Sequence, residues 1–461
     1  MGVLFNFIPG AGLIAPGTFF ERNSAGQYEG VSWALVLGHK SSSGSLANDT
    51  PTICTTVQEA AALAGNGSQL YELFRTLRRA APAATIYVSS VPASGSAAAW
   101  TIEIGTLASS GGSATLEIAG RKVVIAVAAS ESAGTTATNL ASAINAWVDP
   151  LTLAYLPVTA TVSTNTVTIT ARSNGTTMNE IEVLADGTIP GNLFSSSTVT
   201  ITQSVTAAGA ASVAASLAAM GDNPFHWVIS PFGEDANLTH AKTAFSDVSG
   251  RWAWNTQLYG HYITSRTDSI SNLTTLGLAQ NDDHITVLGR FASPTPSWEW
   301  LGALFGRVLP WLSDSVIGNA ARNQSDLIGE GIRPPRARSA WPGYATRNAL
   351  LGVGISTWKV NAAGEVVIDK IITMKRTNAA GHPDTTFRDV QAMAVCLHSL
   401  TYLRAGISSR HANKAVADSN PGSVPTISTP ADIKSDMIAL YGELVDRGLM
   451  ENKAAFAASL I

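Results

Sequence analysis

Apolar and polar positions change period several times along this chain. Near the start, Val31–Leu37 is a continuous apolar run closed by Gly38, which predicts a buried strand. Thr55-Thr56-Val57-Gln58-Glu59 reads as a helix start, and Leu70, Leu73, Phe74 and Leu77 share one face of a helix over 68–80. Thr85–Val88 then predicts a further strand. From about 92 to 208 the pattern turns to alternation, with strands over 100–104, 114–118, 122–127, 158–162 and 166–171 and one helix over 136–146. After a predicted helix at 210–220, strands and helices alternate: strands at 225–230, 260–264 and 284–288, helices at 236–248, 268–276 and 298–309. Two long strands over 351–360 and 365–375 flank Asn361-Ala-Ala-Gly364, whose Asn and Gly suit a tight hairpin loop. Helices over 385–406 and 431–447 complete the chain.

Alternation of strand and helix predicts an α/β (α+β) multidomain protein, a mixed-sheet core flanked by helices. The expected division is an extended N-terminal arm over 1–30, core over 31–91, an inserted mainly-β domain over 92–208, core again over 209–425 with the hairpin at 351–375, and a helical end over 426–461. The insert reads as loosely attached. The arm is apolar at Phe5, Phe7 and Ile8 but broken at Pro9-Gly10 and Pro16-Gly17, so it should dock on something.

Composition narrows the function. Only 13% of the 461 residues are charged and the net charge is −4, which gives no basic field for nucleic acid. Mean hydropathy is +0.15, yet no run approaches the roughly 20 apolar residues of a membrane span. A weakly charged surface suits a protein covered by copies of itself. Two distant cysteines, Cys54 and Cys396, form no disulfide framework, and a reduced cytoplasmic origin is the simplest reading.

Catalytic motifs fail: there is no HExxH, GxxxxGK[ST], GxSxG or paired CxxC, and the eight histidines show no ligand spacing. We therefore expect no enzyme, no cofactor and no metal. Asp282-Asp283-His284 is the nearest catalytic-looking cluster, but it precedes a strand, whereas open α/β sheets place active crevices at strand C-termini. Arg333-Pro-Pro-Arg-Ala-Arg338 reads as a solvated loop before it reads as a site for an acidic partner. The tryptophan-rich stretches, including Trp298 and Trp311, read as core before sugar platforms.

The block GISTWKVNAAGEVVIDKIITMKRT, followed by Gly381-His-Pro-Asp384 and Phe387-Arg-Asp-Val390, resembles the Mu-like tail sheath proteins of contractile phages. The insert, with GGSATLEIAGRKVVIAV and LPVTATVSTNTVTITAR, is similar to the β-rich domain of that family. The resemblance implies a structural subunit that stacks in hexameric rings around a tail tube. Contraction would then drive the tube through the host envelope. Its partners would be itself, the tail tube protein, and baseplate and tail terminator proteins, with no direct nucleic acid and no membrane insertion. Its place would be the virion tail, after synthesis in the host cytoplasm. Arms that add strands to neighbours would use Phe5, Phe7 and Ile8 as donor, with Ile355, Trp358, Val366 and Ile368 in the receiving sheet. Lys434, Asp436, Glu443 and Arg447 would face the tube. Related sheaths carry a C-terminal arm, whereas this sequence stops at Ile461, so either that arm is missing from it or linkage rests on the N-terminal arm. The alternatives are a non-polymerising adhesion or binding protein, and the sheath of a tailocin or other injection device.

Overall fold

A computed structural model describes residues 32–107, 111–314 and 319–460. The chain divides into two compact units, one of residues 31–397 and one whose described part is 398–460.

The larger unit opens with β1 (Trp33–Gly38), β2 (Thr52–Ile53), α1 (Val57–Ala64), α2 (Gln69–Ala80) and β3 (Ile86–Ser90). Both helices start where the sequence places a cap. Thr56 accepts from the Glu59 amide and Ser68 from the Tyr71 amide, each satisfying a donor that has no partner within its helix. The insert follows: β4 (Ala99–Ile104), β5 (Gly112–Ile118), β6 (Arg121–Val127), α3 (Ala133–Ala146), β7 (Val148–Asp149), β8 (Ala154–Tyr155), β9 (Val158–Ser163), β10 (Thr166–Ala171), β11 (Val183–Leu184) and β12 (Val199–Val205). Its strands form a four-stranded sheet in the order β12-β4-β10-β9 and a three-stranded sheet β11-β5-β6, with β7 and β8 a separate ribbon. The core resumes as α4 (Ala214–Ala218), β13 (Phe225–Ser230), α5 (Asp235–Ala244), β14 (His261–Thr267), α6 (Ile270–Ala279), β15 (Ile285–Arg290), α7 (Ser297–Leu312), α8 (Tyr344–Gly352), β16 (Ile355–Val360) and β17 (Val366–Lys370).

One eight-stranded sheet organises this unit, in the order β17-β16-β15-β14-β13-β1-β3-β2. Neighbours run parallel except at its two ends, where β17 and β2 are antiparallel. The central strands β13 and β15 are buried at every position, as a sheet covered on both faces requires. The chain thus has the mixed-sheet α/β core that the strand–helix alternation predicts.

Three expectations need correction. The stretch 351–375 is not two long strands: Leu351 and Gly352 end α8, and Gly354, with φ of +84°, turns the chain into β16. Past Lys370 the chain leaves the hairpin because its amides find other acceptors, Thr373 on the Arg388 carbonyl at 2.7 Å and Met374 on that of Ile285 at 2.9 Å. The helix expected over 210–220 shrinks to Ala214–Ala218. Asparagine side chains take up amides of the chain before it, that of Ala207 on Asn179 and that of Val213 on Asn237.

The insert is also not loosely hung. Its apolar residues join the same continuous core, and the Tyr71 hydroxyl donates to the Leu153 carbonyl at 2.6 Å. Arg121, at the start of β6, reaches Glu72 on α2 at 2.7 Å and Glu299 on α7 at 2.9 Å. Arg336 pairs with Glu117 and Glu182 of the insert, at 3.0 and 2.6 Å. The Arg333–Arg338 run is an exposed loop, as expected, and its Arg333 and Arg336 also pair with Glu117 of the insert.

His261 gives this core a pH dependence. Its ring lies fully inside, Nε2 against the Thr286 hydroxyl at 2.8 Å, and burial drives its pKa down to about 3. A histidine depressed in the folded state contributes stability that is present above its unfolded value of roughly 6.5 and is lost as pH falls toward the folded value. Denaturant unfolding should show a loss on the order of a few kcal/mol between pH 7 and pH 4, and His261→Gln should flatten that slope relative to the parent. Equal slopes would show that carboxylates alone carry the acid sensitivity.

In the second unit, α9 (Val390–Arg410) ends, β18 (Ala415–Val416) and β19 (Ile427–Ser428) form a two-stranded parallel ribbon, and α10 (Pro430–Asp446) and α11 (Lys453–Ser459) follow. Thr429 and Asp432 make a reciprocal capping box at the start of α10, with Pro430 in its first turn. Among the described residues no helix is long and apolar enough to cross a membrane.

Candidate assembly surfaces

The expected receiving residues lie deep in their own subunit. Ile355, Trp358, Val366 and Ile368 are all buried. The Trp358 indole packs edge-on to Trp300 at 4.8 Å, lies 5.2 Å from Phe291, and donates to the Gly289 carbonyl at 2.9 Å. The tight turn expected at Asn361–Gly364 forms, with Gly364 at φ +84° and the Asn361 amide on the Glu365 carbonyl. The outer edge of β17 is occupied by the chain itself. Residues 326–329 run along it, with the Ile368 amide on Leu327, the Asp326 amide on Ile368 and the Gly329 amide on Val366, at 2.8–3.0 Å. Phe5, Phe7, Ile8 and the rest of the 1–30 arm fall outside the described residues.

Among the described residues, the second unit has an open strand edge. β18 and β19 are two residues each, with the Ala415 amide on the Thr426 carbonyl and the Ala417 amide on the Ser428 carbonyl. Alternation along a strand sends the N–H and C=O of the intervening residue, Val416, to the side away from β19. Its side chain is 75% exposed. A ribbon this short is below what is independently stable in water, so it gains from a third strand. Sequence reading misses it because two apolar residues in a polar run carry no periodic signal.

The four residues expected to face a tube lie on or beside α10, and they are tied into its unit. Asp436 accepts from Arg410 at 3.0 Å, and Glu443 accepts from Arg410 at 2.9 Å and from the Tyr402 hydroxyl. Arg447 sits 4.6 Å over the Tyr402 ring. Lys434 donates to the Leu460 carbonyl. The net effect is a charge-balanced lattice that locks α9 to α10.

Asp282, Asp283 and His284 precede β15, as expected, and the Asp282 carboxylate accepts from the His284 amide at 2.8 Å. Of the tryptophans weighed as sugar platforms, Trp298 and Trp300 are buried and Trp311 is capped by Arg322 at 4.1 Å, whereas Trp254 is exposed.

Comparison with known proteins agrees with the resemblance read from the sequence. Residues 206–374, from α4 through β17, match the family described as the phage tail sheath protein central domain. The Mu-like prophage FluMu tail sheath protein of Haemophilus influenzae is 29% identical, covering all of this chain and 93% of that protein. The sheath tail protein of Listeria innocua is similar with a TM-score of 0.43 at 13% identity, over 92% of this chain and 86% of that one. A chain of the anti-feeding prophage baseplate is similar with a TM-score of 0.43 at 10% identity, over 96% and 86% of the two chains. In its central part the chain thus matches the phage tail sheath domain, and along its length it is similar to a Mu-like tail sheath protein.

Proposed function

We propose that the chain is the polymerising sheath subunit of a contractile tail, assembled around a tail tube in the virion, whose contraction drives the tube through the host envelope. The observation that carries this reading is the unfinished ribbon β18–β19. A strand donated by a neighbour's N-terminal arm, through the segment of Phe5, Phe7 and Ile8, pairs with the outward N–H and C=O of Val416. Backbone pairing of this kind is directional and indifferent to most side chains, so it links subunits while rigid cores rotate past one another. The same contact is heterologous and repeats into a helical array. The β17 edge is already paired within the chain, so Ile355, Trp358, Val366 and Ile368 take the role of stiffening the core that the ribbon connects. Lys434, Asp436, Glu443 and Arg447 place mixed charge on the element that meets the tube. Baseplate and terminator proteins cap the array at its two ends.

Val416→Pro tests this directly. It removes the outward amide and no bond to β19, a position at which a strand edge tolerates proline. Electron microscopy of the intact chain is expected to show long striated tubes, and of Val416→Pro or a chain lacking residues 1–30 only particles with unchanged circular dichroism. Tubes from Val416→Pro would overturn the ribbon as receiver, and tubes from the truncated chain would overturn the arm as donor. Particles alone from the intact chain, at high concentration with tail tube supplied, would favour a binding module.

A further inference from the structure

We propose that the outer edge of β12 pairs with the β12 of a second copy of this chain, antiparallel and centred on Thr202, so that two inserts share one continuous sheet. β12 is an end strand of the sheet β12-β4-β10-β9. Its hydrogen-bonding phase follows from β4. The Gly105 amide donates to the Thr198 carbonyl at 2.8 Å, and Glu103 and Thr101 then face Thr200 and Thr202. Along an antiparallel strand, residues alternate between turning their backbone groups to the neighbour and away from it, so Ile201 and Gln203 point theirs outward. Among the described residues, the N–H and C=O of Ile201 and Gln203 meet no hydrogen-bond partner.

Two other edges of the insert are blunted by side chains. Asn145 of α3 takes both the amide and the carbonyl of Ala160 on β9, at 2.9 and 2.8 Å. The Trp147 indole donates to the Lys122 carbonyl on the edge of β6 at 3.0 Å. Charge or proline would protect an edge equally well. β12, with the sequence VTITQSV, has neither, and Thr200 and residues 202–205 are exposed.

The pattern selects the occupant. The preceding outward amide, that of Val199, is spent on the Ser195 carbonyl at 2.9 Å, and a bulge interrupts the ladder after Gln203. Ile201 and Gln203 are left to pair, and one antiparallel register of two β12 strands engages both residues on both. Ile201 meets Gln203 of the second copy, Gln203 meets Ile201, and the two Thr202 residues stand opposite each other. A two-fold axis normal to the sheet preserves its faces, so exposed threonine meets exposed threonine, a favourable cross-strand pair. A neighbour's β6 fits less well. Its outward residues Val124 and Ala126 have exposed side chains, whereas Ile201 packs against the core, so that pairing would set a dry face beside a wet one. The two-fold contact closes on itself, adds nothing to a helical array and does not rest on the sheath reading.

The contact is small, hence weak, and is read on the full chain at high protein concentration. The Ile201 and Gln203 amides should exchange with solvent more slowly as concentration rises, with the Thr200 and Thr202 amides, already paired to β4, unchanged. Under mild oxidation Thr202→Cys should give a disulfide-linked dimer, because residues opposed at such a non-hydrogen-bonded site lie roughly 4.5 Å apart between Cα atoms. The two copies of position 200 lie roughly 13 Å apart along the paired strands, so Thr200→Cys should link at least about tenfold more slowly. The parent, with Cys54 and Cys396 alone, sets the background. Equal linking at positions 200 and 202, or amide exchange independent of concentration, would overturn the pairing. Slowed exchange without a Thr202→Cys dimer would also overturn it, by assigning the edge to a different strand.

Discussion

Replacing Trp358 by alanine is expected to cost about 3–5 kcal/mol of unfolding free energy, the range for deleting a buried aromatic ring. The position concentrates several losses. Trp358 is the bulkiest residue of β16 and only 1% exposed, and it fills the space between the sheet and α7 by meeting Trp300 and Phe291. Its removal opens a cavity bounded by rigid neighbours, so little of the volume can close by relaxation. It also strands the Gly289 carbonyl, which accepts from the indole at 2.9 Å inside the core. Trp358→Phe keeps most of the packing and forfeits that hydrogen bond, so it should cost about 1–3 kcal/mol. Urea unfolding followed by far-ultraviolet circular dichroism separates the two. A loss below about 1 kcal/mol for the alanine variant would show that the hairpin does not share a core with α7 and β15.

That ring lies in the stretch whose pattern was easiest to read, and the reason is physical. In β16 and β17 the apolar residues face one core through local pairing set by a tight turn, so a dozen residues carry the whole signal. The strands β13 and β15 and the helix α2 were legible for the same reason, each announced by an apolar run or stripe with its own cap or glycine. What the sequence hid depends on partners distant along the chain. Residues 326–329 have no strand pattern, yet they close the edge of β17. Ala415 and Val416 are too few to show a period. Asp247 lies 37 positions before His284 and meets it only because the loop after α5 comes back to the start of β15. On α2, Leu70, Leu73, Phe74 and Leu77 mark one buried face, and that stripe alone does not show whether the face of Glu72 and Arg75 is covered. The insert and α7 cover that face too, and Glu72 is fully buried.

Glu72 is therefore the polar residue whose loss should be felt most. One oxygen accepts from Arg75 at 2.8 and 3.0 Å and from Arg121 at 2.7 Å, and the other accepts from the Tyr155 amide at 2.8 Å. Glu299 stands opposite, 2.9 Å from Arg121 and 3.6 Å from Arg75, and burial raises its pKa. Burial makes the Glu299 carboxylate costly to keep charged, so it is a strained counter-charge for two guanidinium groups. Glu72→Ala leaves two guanidinium groups out of water with one strained counter-charge and is expected to cost about 3–5 kcal/mol. The loss should be greatest where Arg121 and Tyr155 dock the insert, so limited proteolysis within 92–208 should quicken in step with the fall in stability. The contrasting variant replaces Glu72, Arg75, Arg121 and Glu299 together by apolar residues of similar volume. Because the cost of the single change lies in uncompensated charge, the quadruple variant should recover most of it, to within about 1–2 kcal/mol of the parent. If the quadruple variant were no more stable than Glu72→Ala, the cluster would owe its effect to shape and the amide of Tyr155. If Glu72→Ala were near neutral with unchanged proteolysis, the insert would be held by its apolar face alone.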